Sequence, residues 1–324
     1  MNAHNDLQHF ILTRFNLLLW NRDKEGKKVR TIKWLEHRFS LFEKYCLPSI
    51  ANQTSKNFKW IVLFDSSTPE KYKDRIVDLQ SKCTQLIPVF VEPENGRHFA
   101  EIFRKEVVKR LNVNLDLDLD GNLDVDLDDD GNVNVNLDLD DNNDLELNVD
   151  LNGRGRVLTT YLDNDDALNV RFVEDVQRRA KELSDGTFIY YTDGLQFFTD
   201  HSYLMQIHYR RNHFVSVVES GDPSVVRTIY GYGSHYYIDQ MKGAEIEYVD
   251  NLPMWCEVIH EKNMGNDAYF LRTKMVRDSE RLRHDFAIDE TVEHGAGLYL
   301  FRFLPRYGKT FIRRCGHRLF GRHW

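Results

Sequence analysis

The sequence predicts an α/β fold with a mostly parallel central sheet. Three observations carry that prediction. Apolar, strand-like runs alternate with helix-period segments through the first 111 residues, the alternation resumes at residue 156, and two of the strand-like runs end in an aspartate, Asp65 and Asp163. Open sheets of this kind bind their ligands beyond the carboxyl ends of the strands, so an acidic residue placed there is a candidate for chemistry.

The elements follow in order. His9 to Phe15 is a first apolar strand. From about Thr31 to Gln53 the residues Trp34, Leu35, Phe39, Phe42, Tyr45, Cys46 and Ile50 recur at three- and four-residue steps, which predicts a long helix broken or kinked near Pro48. Phe58 to Phe64 is a buried strand ending at Asp65. Ser66-Ser67-Thr68-Pro69 then supplies the hydroxyls and the proline that open a helix reaching about Cys83. Leu86 to Val91 is a third strand, and residues 97–111 a third helix. Arg156 to Leu162 is a fourth strand ending at Asp163, and Asn169 to Leu183 a helix. Beyond Thr187, short strands such as Phe188–Tyr191 and Phe214–Val218 alternate with Gly-rich turns.

Residues 112–152 interrupt this pattern. They hold 13 Asp and one Glu with no Lys or Arg, and Leu or Val alternates with Asp or Asn. Asp120-Gly121-Asn122 is matched ten residues later by Asp130-Gly131-Asn132. Strict alternation gives a strand with one apolar and one acidic face, and carboxylates at that density repel one another. Asp116-x-Asp118-x-Asp120-Gly121 resembles the opening of an EF-hand loop. However, position twelve is Leu127, where a bidentate Glu is needed, so the segment is read as a solvated, low-complexity acidic insertion.

Without those fourteen charges, the net charge of −8 becomes +6. A mildly basic body suits phosphorylated ligands. The 41% hydrophobic content and the abundant aromatics exclude a disordered chain. No run of about 18 apolar residues predicts a transmembrane helix. Met1 to Asp6 lacks the basic-then-apolar pattern of a secretory signal, so none is expected. Cys46, Cys83, Cys256 and Cys315 are far apart and form no C-x-x-C pair, which argues for reduced thiols and a cytoplasmic location.

Asp163-Asn164-Asp165-Asp166 puts three carboxylates between an apolar strand and an apolar helix. Two carboxylates two residues apart in an extended turn can share one divalent ion, since Mg²⁺ and Mn²⁺ prefer oxygen ligands. The same residues can equally cap the following helix, and the tetrapeptide alone does not decide between the two.

Several segments together resemble the rhamnosyltransferase family, related to glycosyltransferases of the GT-A type. They are His9-Phe10-Ile11-Leu12-Thr13-Arg14-Phe15-Asn16, Trp34 to Phe39, Pro48-Ser49-Ile50-x-x-Gln53-Thr54, Phe58 to Asp65 and Leu162 to Ala167, with Trp255 to Asn263 further along. The resemblance implies a GT-A, Rossmann-like sheet flanked by helices. It also implies a nucleotide-sugar donor, a saccharide or lipid-linked glycan acceptor, and a Mn²⁺ or Mg²⁺ ion. Asp163 and Asp165 match the pair that holds metal and diphosphate, and His260 is the candidate for completing the metal shell. Thr13, Arg14, Asp65, Asp163 and Asn164 are the expected donor contacts. Tyr161 departs from the family pattern, which has Arg there. A base for the acceptor hydroxyl could be Asp193, Glu219, Asp239 or Glu257. Asp193 is favoured because it follows a strand and precedes a Gly.

The implied organisation is a nucleotide-binding half (1–111), the acidic insertion (112–155), a metal-site and acceptor half (156–270) and a basic helical tail (271–324). From Phe301 onward the chain has seven Lys or Arg and no acid, interleaved with aromatics. This predicts either a docked final helix or peripheral contact with an anionic membrane at its inner face. No nucleic-acid-binding motif is present. The alternatives to a glycosyltransferase are a nucleotidyltransferase, which would normally carry a Gly-rich loop with Lys near the first strand, and a calcium-responsive binding protein using the insertion.

Overall fold

The structure is a computed structural model that describes residues 7–19, 31–111, 115–117, 123–125, 134–139, 145–150, 155–200, 202–250, 252–260, 273–278 and 280–292. The chain opens with β1 (Leu7–Arg14), then α1 (Ile32–Leu41), a π-helical turn at Phe42–Cys46 and α2 (Leu47–Ala51). The Thr31 hydroxyl accepts from the Trp34 amide at 3.1 Å and caps α1. The long helix expected from 31 to 53 is thus three pieces. Its irregularity falls just before Pro48, which sits in the first turn of α2, where a missing N–H costs nothing.

β2 (Lys59–Asp65), α3 (Glu70–Lys82), β3 (Leu86–Val91) and α4 (Phe99–Leu111) follow, close to their expected bounds. Four short strands come next: β4 (Leu115–Leu117), β5 (Leu123–Val125), β6 (Asn134–Leu139) and β7 (Leu145–Asp150). They pair as two antiparallel hairpins. β8 (Arg156–Tyr161) resumes the main sheet, and β9 (Ala167–Leu168) precedes α5 (Phe172–Ala180). That helix starts later than expected because the Asn169 and Val170 amides donate to the Met254 and Asp285 carbonyls, at 3.0 and 2.8 Å.

The remainder comprises β10 (Thr187–Tyr191), β11 (Asp193–Phe198), β12 (Tyr203–His208), β13 (Val215–Ser220), 3₁₀ turns at Ile229–Tyr232 and His235–Gln240, β14 (Glu245–Val249), β15 (Trp255–Ile259), β16 (Thr273–Met275) and α6 (Arg281–Phe286). The basic tail beyond residue 292 lies outside the described residues. Among those described, no helix is long and apolar enough to cross a membrane.

The result is the mixed α/β architecture the sequence predicts. The main sheet has seven strands in the order β14-β10-β13-β8-β1-β2-β3, and β13 alone runs antiparallel to both its neighbours. The second sheet has the order β16-β12-β11-β15-β9.

Strand alternation splits the core into two faces. Ile11, Phe15, Trp60, Val62 and Phe64 pack with Phe39 and Phe42 from the α1 side. Phe10, Leu12, Ile61 and Leu63 pack with Phe103 and Val107 of α4 and with Tyr230. Each such fully buried side chain contributes about 1.5–3 kcal/mol of apolar burial, which fixes the strand ends that carry the site.

Candidate active site

Four parallel strands deliver Arg14, Asp65, Val91 and Tyr161 to one edge of the main sheet. Because β13 is antiparallel, its beginning arrives at that same edge and brings His213 with it. The acidic turn Asp163–Asp166 lies between β8 and β9, so it joins the two sheets.

Three side chains converge there. The His213 Nε2 lies 2.8 Å from Asp166 Oδ2 and 4.0 Å from Asp163 Oδ2. The ligand atoms of all three residues lie within 4.8 Å of one another. The second Asp166 oxygen accepts the Val258 amide at 2.8 Å, which fixes the carboxylate's direction. Asp166 is almost fully buried, whereas the Asp163 side chain is 36% exposed and opens the cluster to solvent. Two carboxylate oxygens and an imidazole nitrogen in this arrangement fit a divalent cation of the Mn²⁺ or Mg²⁺ kind.

The Asp166–His213 pair titrates as a unit. Burial pushes the Asp166 carboxyl up, against the hydrogen bond from His213. Burial alone would lower His213, but the hydrogen bond and charge of Asp166 outweigh it and raise the imidazole to about 9. Both directions mean that the pair retains a proton past neutrality.

Asp165 turns the other way. Its Oδ2 accepts from Arg38 at 2.7 Å and from His260 at 2.9 Å, and Arg38 with His260 holds this carboxyl below the usual range despite its burial. Asp165 and His260, expected on the ion with Asp163, thus meet each other and Arg38. The third carboxylate of the turn and a histidine 47 residues later join Asp163 instead.

The expected donor contacts divide similarly. Arg14 lies at the site: its guanidinium donates to the Tyr161 hydroxyl at 2.6 Å and lies 3.6 Å from Asp163. Tyr161 in turn donates to Asp163 at 3.0 Å. The rings of Phe99 and Tyr230 flank the guanidinium, with centroids at 4.7 and 5.1 Å. Where the family resemblance expects an arginine, this chain has Tyr161, and the cation beside the acidic turn comes from Arg14.

Thr13 is fully buried on the opposite face of β1 and accepts from Trp60 Nε1 at 2.9 Å, so it packs inward and does not face the edge. Asn164 donates to the carbonyls of Arg14 and Phe15 at 2.9 and 2.6 Å and accepts from Arg38. It clips the turn to the end of β1. Asp65 is buried at the end of β2 and accepts the Ser67 amide at 2.9 Å, bracing the entry to α3.

The four base candidates separate cleanly. Glu219 accepts the amides of Arg227 and Thr228 and the Tyr232 hydroxyl, all at 2.9–3.0 Å. Asp239 pairs with Arg211. Asp193 pairs with His208 at 3.3 Å and stands on β10's continuation, two strands along the edge from β8. Its nearest acidic and imidazole neighbours are His208 and Asp250, with which it forms a second group of possible ligands. Glu257 is different. It follows Cys256, the partner of Ala167, and so stands opposite Asp166. Gln196 donates to one of its oxygens at 2.5 Å. Burial raises its carboxyl, and the field of His213 reaches it from the cluster.

The family described as "Putative rhamnosyl transferase" matches residues 8–136 and 146–270. No curated protein matches the chain. Among solved structures, S. aureus TarS is similar at 9% identity over 78% of this chain and 36% of that one, with a TM-score of 0.35. S. aureus TarS 1-349 in complex with UDP gives 9%, 78%, 60% and 0.39, and TarS 1-349 alone gives 10%, 78%, 60% and 0.38. The chain therefore spans between about a third and three fifths of those structures.

Proposed function

Because this chain belongs to the rhamnosyl transferase family, and so to the glycosyltransferases, we propose that it moves a sugar from a nucleotide-sugar donor to a hydroxyl of a saccharide or glycan acceptor. The observation that carries the reading is the cluster of Asp163, Asp166 and His213 at the carboxyl edge of the main sheet. In the transfer, the bond from the anomeric carbon to the diphosphate oxygen breaks and a bond to the acceptor oxygen forms. The acceptor proton must go to a base.

Asp163, Asp166 and His213 would hold a divalent cation, which when bound neutralises charge on the departing diphosphate. Arg14 brings a second positive charge to the same edge, oriented through Tyr161. Glu257 is the base we assign. Its position opposite Asp166 and its orientation by Gln196 support that role, and a carboxylate with a raised proton affinity is suited to accept the acceptor proton.

A thermal-shift panel of nucleotide sugars, with and without Mn²⁺, tests the reading. A donor that binds the folded state raises the melting temperature by mass action. At least one donor should do so only with metal, and a flat panel would overturn the proposal. In the same assay Glu257→Gln should keep the donor shift while losing roughly 10²–10⁴-fold in transfer rate.

A further inference from the structure

The segment Thr228–Met241 borders the cluster and ends in two exposed aromatic rings. Tyr237 is 64% exposed and Tyr236 44% exposed, two of the large apolar side chains left open to solvent among the described residues. Tyr236 packs on His235 with ring centroids 4.0 Å apart. His235 in turn lies 5.8 Å from the His213 ring and 6.4 Å from the Tyr161 ring. A continuous row of rings therefore runs outward from the candidate metal ligands to the surface.

The backbone beneath the rings is firmly held. Glu219 takes the amides of Arg227 and Thr228, and the Ile229 amide donates to Thr159 at 2.8 Å. Tyr190 donates to the His235 carbonyl at 3.1 Å, Ile238 is buried in the core, and Arg211 clamps Asp239. Thr228 has φ 63° and Gly233 φ 80°. A left-handed φ at a β-branched threonine is costly, and it is held by the surrounding hydrogen bonds.

We propose that Tyr236 and Tyr237 form the platform on which the saccharide acceptor stacks. This rests on the proposed transferase reading and deepens it. Sugar rings present flat C–H faces that pack on aromatic faces, while their hydroxyls stay in water. An open, braced aromatic pair beside a transfer centre offers that surface at little cost in ordering. The occupant is a saccharide, not a protein, because the open surface is two tyrosines consecutive in the chain, the first packed on His235 toward the site, and not a broad apolar patch.

The test uses fluorescently labelled full-length protein on a glycan array carrying rhamnose-, galactose-, glucose- and N-acetylhexosamine-containing oligosaccharides. Wild type should bind a subset. Tyr237→Ala should weaken that binding at least tenfold, Tyr237→Trp should restore it, and Tyr236→Ala should follow Tyr237→Ala. Donor-induced thermal shifts with Mn²⁺ should be equal in all four proteins. Wild type binding no glycan, or Tyr237→Ala binding as wild type does, overturns the platform while the donor shift still stands. Loss of the donor shift in wild type would instead overturn the underlying transferase reading.

Discussion

Asp163 and Asp165 stand two residues apart in one turn, yet their surroundings differ in almost every respect. Asp163 is partly open and faces Tyr161, Arg14 and His213. Asp165 is closed in between Arg38 and His260. The first has a carboxylate partner and a histidine within coordinating range, whereas the second already has its charge balanced by protein. Residue type and spacing are shared, so the difference comes from what the neighbouring strands and α1 place around each side chain. One arm of the turn is suited to exchange a ligand with solvent, and the other to anchor the turn.

The largest expected effect tests the anchoring arm. Asp165→Ala strips the carboxylate from between a buried arginine and histidine, and should cost about 3–5 kcal/mol of stability. Chemical denaturation reads this directly, and a loss under about 1 kcal/mol would break the contrast. Next comes the open arm. Asp163→Ala should leave the denaturation midpoint close to wild type while lowering metal-dependent donor turnover by roughly 10²–10³-fold, the scale seen when one preorganised electrostatic partner is removed. Equal losses of stability in the two variants would mean that both residues are structural.

The smallest effect is a pair of opposite pH dependences. The carboxyl of Asp165 is held below its ordinary 3.8, so the stability it contributes is present above that value and is lost as pH falls through the depressed one. His213 is raised from 6.5 to about 9, so its contribution is fully present below 6.5 and fades as pH rises through 9. Urea midpoints between pH 2 and 10 should therefore fall at both ends, with Asp165→Ala removing the acid limb and the double variant Asp166→Asn/His213→Gln the alkaline one, since both members of that pair are raised. Proton competition carries the same sign to metal: Mn²⁺ should bind more tightly from pH 6 to 9 and release about one proton per ion at neutral pH. Calorimetry in buffers of different ionisation enthalpy measures that release.

Much of the fold was legible because its signals are local. β1, β2, α3 and β3 follow from apolar periodicity, and alternation within β1 would by itself have turned Thr13 to the face of Ile11 and Phe15, away from Arg14. For the candidate site, Asp163 and Arg14 stand at strand ends, a local signal, and the structure sets them 3.6 Å apart at one edge. His213 was missed, since its position depends on β13 running against its neighbours. No short stretch of sequence encodes strand direction. A histidine immediately before the Phe214–Val218 run was the one available sign. Glu257 is one of four carboxylates the sequence offers, and its place opposite Asp166 is not legible there, because the pairing of β15 with the two-residue β9 is a long-range fact.

The polarity of the main sheet has one more consequence. The chain leaves α4 at Leu111 beside the start of β2, where Lys59 donates to the Arg110 carbonyl at 3.3 Å, and it re-enters at Arg156, the first residue of β8. Both attachment points lie at the amino margin of the strands, a full strand length from Asp163 and His213. The junction is a service port set apart from the candidate site, so a change of length or charge spliced in there is expected to leave that site's geometry alone. A reporter domain grafted between residues 111 and 156 is accordingly the modification this protein should tolerate best.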